Sequence, residues 1–354
     1  MTFFCFKGGV KGYMINITRY NRFAFVTFLM LNDSYLPGAL MLAYGLRKQK
    51  INADLVCLVT EEITSDARYA IGMMFDYVVD IEKIYIPHKR RQERQDRPYF
   101  FTRLNALRLG EDGDFGFMYK KIVVLDSDVL PLKNYDSLFA LDAPGGIINE
   151  RKSHFIETDP KGNWIIPSSV YTEGKWKWHQ LYDDICPYGC RIPKEITDRV
   201  KNDPTNMGIN GSLFVLEPSM DEFASIKEDV YQPDILCFVG DLFDWPDMQY
   251  LTMRWSGKWI NVDLRFSGFN GYPDLTVLYG IHYAGFKPWY IRKPEAMARY
   301  ARHDDFQLWF REYIRMMKTY PELNKVKKLS ILQQNIKKLS YSFAKEPDLS
   351  GSLC

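Results

Sequence analysis

The chain has no long apolar run, no surplus charge of either sign and no cysteine framework. Its longest greasy segment, FAFVTFLML from Phe23, falls well short of the roughly 18 apolar residues that a membrane-crossing helix needs. No basic stretch leads into an apolar one with a small-residue cleavage site, so we expect a soluble, unsecreted, cytoplasmic protein without a transmembrane segment. Lys plus Arg number 46 against 44 Asp plus Glu, a net charge of +2 that sets up no global field for nucleic acid or an acidic partner. Any charge-based function must be local.

The six cysteines (Cys5, Cys57, Cys186, Cys190, Cys237 and Cys354) are scattered, which excludes a disulfide scaffold. Cys57 lies inside ADLVCLVT and reads as a reduced core thiol. His179 with CPYGC offers three zinc-type ligands at a wide spacing and no obvious fourth, so zinc is not expected there. Internal repeats and low-complexity tracts are also missing.

What is present begins with size and rings. At 354 residues the chain can bury one large core with an appendage, or two domains. Aromatics make up 15%, with 23 Tyr, 23 Phe and 8 Trp, a supply that suits a site where sugars or nucleobases stack on side chains.

Residues 1–22 show no sustained period and read as a loose N-terminal arm. From Phe23 strand and helix patterns alternate: FAFVTFLML, SYLPGALMLAYGLRKQK, ADLVCLVT, then a Thr- or Ser-capped TSDARYAIGMMF and the short YVVDIEKI. Alternation of this kind predicts an α/β fold with a mostly parallel sheet flanked by helices. RPYFFTRLNALRLG reads as a helix with Pro in its first turn and Gly110 at its end. We expect an α/β domain over 23–292, a long insertion over its site at 151–205, and a C-terminal helical extension at 293–354.

KKIVVLD is an unalternating apolar run, the mark of a parallel strand covered on both faces. Asp126 and Asp128 then fall at its carboxyl end, where open α/β sheets bind their ligands. Two carboxylates at i and i+2 can hold one hard divalent cation and leave positions open for phosphate oxygens. Spacing alone does not decide it, since DGD at 112–114 repeats the pattern in a polar turn. On local grounds alone a strand-end turn or cap is the better explanation of Asp126 and Asp128, and only their context favours a site.

Four segments, in order, resemble glycosyltransferase family 8, the glycogenin and galactinol synthase type. They are LNDSYLPGAL (31–40), RPYFFTRLNALRL (97–109), VVLDSDVLPL (123–132) and HYAGFKPW (282–289). The resemblance implies a GT-A fold and a retaining transfer of a hexose from a UDP-sugar, UDP-glucose first and UDP-galactose second. It implies that Leu31, Asn32 and Tyr35 hold the nucleoside, that Arg103 and Arg97 meet phosphate or sugar, and that Asp126, Ser127 and Asp128 form the metal triplet. It further implies His282 as third metal ligand, Gly285 for close approach to the diphosphate and Lys287 as counter-charge, with Mn²⁺ or Mg²⁺ as the ion.

INGSLFVLEPS is similar to a family strand whose Asn210 and Gly211 touch the donor sugar, although Asn-Gly alone reads equally well as a hairpin turn. In WPDMQYLT the family's adjacent acid and Gln are split by Met248, leaving Asp247 and Gln249 as the catalytic candidates beside Arg103. Asn149 or Glu150 matches a further sugar-binding acid or amide. The acceptor is expected to be an external sugar, polyol or protein, because Phe266 and Phe269 stand near where glycogenin glucosylates its own tyrosine. Trp164, Trp176 and Trp178 in the insertion are candidate stacking platforms. Homodimerisation stays open, as do three alternatives: a galactosyltransferase of the galactinol synthase type, a catalytically silent nucleotide-sugar binder, and a scaffold that presents the lysines of its C-terminal helix.

Overall fold

Strand β1 (Phe23–Leu29) sends Phe25 and Leu29 to one face of a sheet and Ala24, Val26 and Phe28 to the other. Both sets are buried, which is why this strand reads as one apolar run and not as an alternation. The computed structural model describes residues 22–88, 96–148, 157–158, 164–165, 186–269, 275–290, 301 and 303–343. Asn149, Glu150, Trp176, Trp178, His179 and the side chains of Trp164 and Phe269 lie outside the described residues.

The remaining strands are β2 (Asp54–Val59), β3 (Tyr77–Asp80), β4 (Lys121–Leu125), β5 (Val129–Pro131), β6 (Gly145–Ile148), β7 (Glu157–Thr158), β8 (Trp164–Ile165), β9 (Ile209–Leu216), β10 (Ile260–Asn261), β11 (Gly268–Phe269) and β12 (Gly280–His282). Seven of them form the central sheet in the order β10-β6-β9-β4-β1-β2-β3. β4, β1, β2 and β3 are parallel neighbours, and β9 alone runs against the rest, antiparallel to both β4 and β6. The α/β architecture with a mostly parallel sheet is the one expected. The Asn210-Gly211 step is not a hairpin turn: it lies inside β9, beside a register shift in β6 between Gly146 and Ile147.

Helices cover both faces. On one side α1 (Leu36–Lys48) and α2 (Ser65–Met74) pack on the cluster of Phe25, Val123 and Leu125. Thr64 caps α2 through its hydroxyl, which accepts the Ala67 N–H at 3.3 Å and satisfies one of the free amides of the first turn. On the other side lie a 3-10 helix at Arg97–Leu109, α3 (Met220–Asp229) and α4 (Pro246–Arg254). The C-terminal helices α5 (Asp304–Thr319) and α6 (Lys327–Phe343) add Trp309, Tyr313, Met316, Leu329 and Ile336 to the cluster beneath α1. No described helix is long and apolar enough to cross a membrane.

A second, three-stranded sheet in the order β11-β12-β5 closes the carboxyl end. β12 is antiparallel to β5, with His282 opposite Val129. That register carries the segment after residue 275 back to the loop between β4 and β5.

Candidate active site

Chain direction puts the first acid in place. β4 ends at Leu125, and Asp126 is anchored as its amide donates to the Ser212 carbonyl of β9 at 3.0 Å. The turn to β5 then carries Ser127 and Asp128, both buried. Helix α1 presses against this turn so closely that a Cβ on Gly38 would stand 2.3 Å from the Ser127 carbonyl oxygen. Only glycine allows that approach.

The β5–β12 pairing supplies the third group. Tyr283 N–H donates to the Asp128 carbonyl at 3.0 Å, and His282 Nε2 comes to 3.4 Å from Asp128 Oδ1. Asp126, Asp128 and His282 each offer a ligand atom, and these atoms lie within 4.8 Å of one another. Among the described residues Asp128 Oδ1 is buried with only the long His282 contact to it, an acceptor that a cation would satisfy. Two carboxylate oxygens and an imidazole nitrogen suit manganese or a similar divalent ion.

Two protein cations face these acids. Lys287 Nζ lies 2.5 Å from Asp128 Oδ2, and Arg103 reaches Asp126 Oδ1 at 3.0 Å and Asp247 Oδ2 at 2.9 Å. Arg103 also donates to the Gly211 carbonyl at 2.6 Å. A Cβ on Gly211 would approach the guanidinium to 2.8 Å, so glycine is what lets Arg103 sit there. The 3-10 helix spaces side chains by three, which sets Phe100 and Arg103 on one row facing the site.

Burial works against ionising every group here. For Asp126 burial prevails, reinforced by repulsion from Asp128 and opposed by Arg103, so its carboxyl is pushed above the ordinary range. Burial also pushes Asp128 upward, but Lys287 and His282 outweigh it and hold that carboxyl well below the usual range. Burial disfavours the charge on Arg103, and the carboxylates of Asp126, Asp247 and Asp128 more than offset it, so its pKa is raised.

These groups line a cavity of about 1100 Å³, slightly beyond the usual span of small-molecule sites. Leu31, Asn32, Tyr35, Asn210, Gly211, Asp247, His282 and Lys287 all border it, together with the acidic triplet. Leu31 has φ +68, a left-handed conformation rare for a branched side chain, and its N–H donates to Thr60 Oγ1 at 3.0 Å. Asn32 Oδ1 accepts the Ser34 N–H at 2.8 Å and so also caps the short 3-10 turn before α1. Asn210 Oδ1 accepts the Ser212 N–H at 2.9 Å.

Three expected residues are placed elsewhere. Gln249 is buried away from the cavity: Nε2 donates to the Pro204 and Asn206 carbonyls at 2.7 and 2.8 Å, and Oε1 accepts the Trp245 N–H at 2.7 Å. One residue of helix rotation puts Met248 on the cavity wall in its stead, its sulfur 3.4 Å from the Gly211 amide. Arg97 stacks over Trp245 at 5.5 Å, and Gly285 is exposed; neither borders the cavity. Arg103, expected on phosphate or sugar, finds its partners among protein carboxylates.

The motifs did not point to an aromatic wall that the fold assembles. Phe100 and Trp245 lie parallel, 6.1 Å between centroids at 4°, with Tyr99 beside them on the cavity. Tyr35 lines the side of the other core face, edge-on to Tyr290 at 5.6 Å. The doublet Phe100-Phe101 at the start of the 3-10 helix was a visible signal, whereas Trp245 was not tied to it by any spacing.

No protein-family model matches the chain. Among curated proteins, the uncharacterized protein R707 of Acanthamoeba polyphaga mimivirus is 25% identical over 311 residues, covering 85% of this chain and 94% of its own length. A glycogenin of Neurospora crassa is 33% identical over 114 residues, 32% of this chain and 16% of that protein. Galactinol synthase 3 of Arabidopsis thaliana is 25% identical over 207 residues, 58% of this chain and 54% of that protein. The chain thus spans a small part of the glycogenin and about half of the galactinol synthase. Among solved structures, the galactosyltransferase LgtC aligns over 76% of this chain and 90% of its own, at 14% identity and a TM-score of 0.42. In sequence, the chain resembles glycosyltransferase family 8 in its glycogenin and galactinol synthase branch, as its motifs imply.

Proposed function

We propose that the protein is a retaining glycosyltransferase that moves a hexose, glucose first and galactose second, from a UDP-sugar to an external sugar, polyol or protein. The observation that carries this reading is the convergence of Asp126, Asp128 and His282 beside Lys287 and Arg103 in one cavity. Mn²⁺, or Mg²⁺ in its place, would be held by those three side chains and would supply positive charge against a departing diphosphate. Leu31, Asn32 and Tyr35 would grip the nucleoside, with Lys287 as counter-charge to the phosphates. Cleavage of the bond between the anomeric carbon and phosphate oxygen leaves the electron pair on that oxygen. The acceptor hydroxyl attacks the same carbon from the front face, and its proton passes to the leaving phosphate, so retention needs no covalent intermediate.

Asp247 borders the place where the sugar would lie, and Arg103 fixes its carboxylate. The wall of Tyr99, Phe100 and Trp245 offers flat apolar faces on which an acceptor sugar ring would stack. UDP release from UDP-glucose, measured with and without Mn²⁺ for the wild type and Asp128→Ala, tests the reading. We expect metal-dependent turnover that the substitution lowers about 10²–10³-fold, the usual cost of deleting a preorganised electrostatic group. Turnover that ignores both metal and substitution would remove the proposed site, and a panel of UDP-sugars read by mass spectrometry identifies the hexose.

A further inference from the structure

An ammonium group has three protons to donate, and on Lys287 all three are taken. Nζ donates to Asp128 Oδ2 at 2.5 Å, to the Tyr283 carbonyl and to the Ala284 carbonyl at 3.2 Å. The side chains of Lys287 and Asp128 are 7% and 8% exposed, so each would be a buried uncompensated charge without the other. Arg103 lies 3.0 Å from Asp126 and shares its guanidinium with Asp247. Each carboxylate assigned to the ion thus already faces a protein cation, and Lys287 is the one not divided between two acids.

We propose that Lys287 is a positioning residue that holds the Asp128 carboxylate until a nucleotide diphosphate arrives, and thereby couples divalent-cation binding to diphosphate binding. The proposal rests on the metal and UDP-sugar reading of this site. A divalent cation entering alone must draw Asp128 away from Lys287, and among the described residues no second carboxylate is paired with this ammonium. A diphosphate changes this. Lys287 can exchange the Asp128 oxygen for a phosphate oxygen and keep both backbone carbonyls, so the ammonium stays fully bonded while Asp128 is released. Nζ lies 5.8 Å from the centroid of the Tyr35 ring, on the wall assigned to the nucleotide. Coupling of this kind is reciprocal, so the diphosphate should also bind more tightly in the presence of the ion.

The test is titration of Mn²⁺, followed by the electron paramagnetic resonance of the free ion, with and without saturating UDP. Wild-type protein should bind Mn²⁺ at least about tenfold more tightly with UDP, while Lys287→Met and Lys287→Gln should bind Mn²⁺ alone about tenfold more tightly than wild type and lose most of the UDP enhancement. A lysine that served only as diphosphate counter-charge would, when removed, weaken UDP alone and leave the coupling unchanged, which overturns the proposal. Equal Mn²⁺ affinity with and without UDP in the wild type overturns it too, and needs no variant. Asp128→Asn separates the two levels: Mn²⁺ binding that survives it removes the metal reading itself, whereas lost binding there with unchanged coupling in Lys287→Met removes only the role of Lys287.

Discussion

Arg103 and Asp247 approach to 2.9 Å with both side chains almost wholly buried, and the same guanidinium holds Asp126. One cation thus ties the strand-end acid to the acid of α4. Arg103→Ala leaves two carboxylates facing each other without it, and we expect a loss of about 3–5 kcal/mol in urea unfolding. Arg103→Lys should recover part of this, because one ammonium cannot reproduce a planar fork shared between two carboxylates and a carbonyl.

Gln249 and Asp247 should separate cleanly. Gln249→Ala strips partners from two carbonyls and one amide, at about 1–3 kcal/mol for each group left unsatisfied, while turnover of the folded protein is largely retained. Asp247→Asn should lower turnover and also the unfolding midpoint, because it takes one charge from the buried pair with Arg103. A stable Gln249→Ala protein with abolished turnover would return Gln249 to the reacting sugar.

Gly38 sets the position of the acidic turn from a helix that carries no ligand. Its missing Cβ would meet the Ser127 carbonyl and the Trp289 ring. Gly38→Ala should cost about 1–3 kcal/mol, as overpacking does, and weaken Mn²⁺ binding because Ser127 lies between the two acids. Isothermal titration with Mn²⁺ and UDP reads the second effect.

Asp305, in the first turn of α5, is buried with Oδ2 lacking a hydrogen-bond partner among the described residues, and burial pushes its carboxyl up to about 7. Its folded pKa therefore lies above the unfolded value. Below about pH 4 both states are protonated and the group costs nothing; stability then falls as pH rises toward 7, and above that the full cost is present. Asp305→Asn should match wild type near pH 4 and exceed it by roughly 2–4 kcal/mol at pH 8 in urea unfolding. Parallel stability curves for the two proteins across that range would exclude the burial effect.

Within the stretch 293–354, expected as a helical extension, α5 and α6 each bury one apolar face. Local pattern was sufficient there because the period and the packed face are the same thing. It was insufficient in α4, where Met248 and Gln249 differ by one residue and both are buried. Which of them faces the cavity depends on the rotation of the helix against β9, a property of packing and not of composition.

The sequence by itself determined β1 to β4 and the placement of Asp126 and Asp128 at a strand's carboxyl end, because apolar runs, caps and chain direction act over a few residues. Only the tertiary structure decided that β9 runs antiparallel between β4 and β6, that His282 meets Asp128, and that Arg103 turns to carboxylates. Each of these depends on register between segments far apart in the chain, and register is fixed by packing of both faces together, which no single segment encodes.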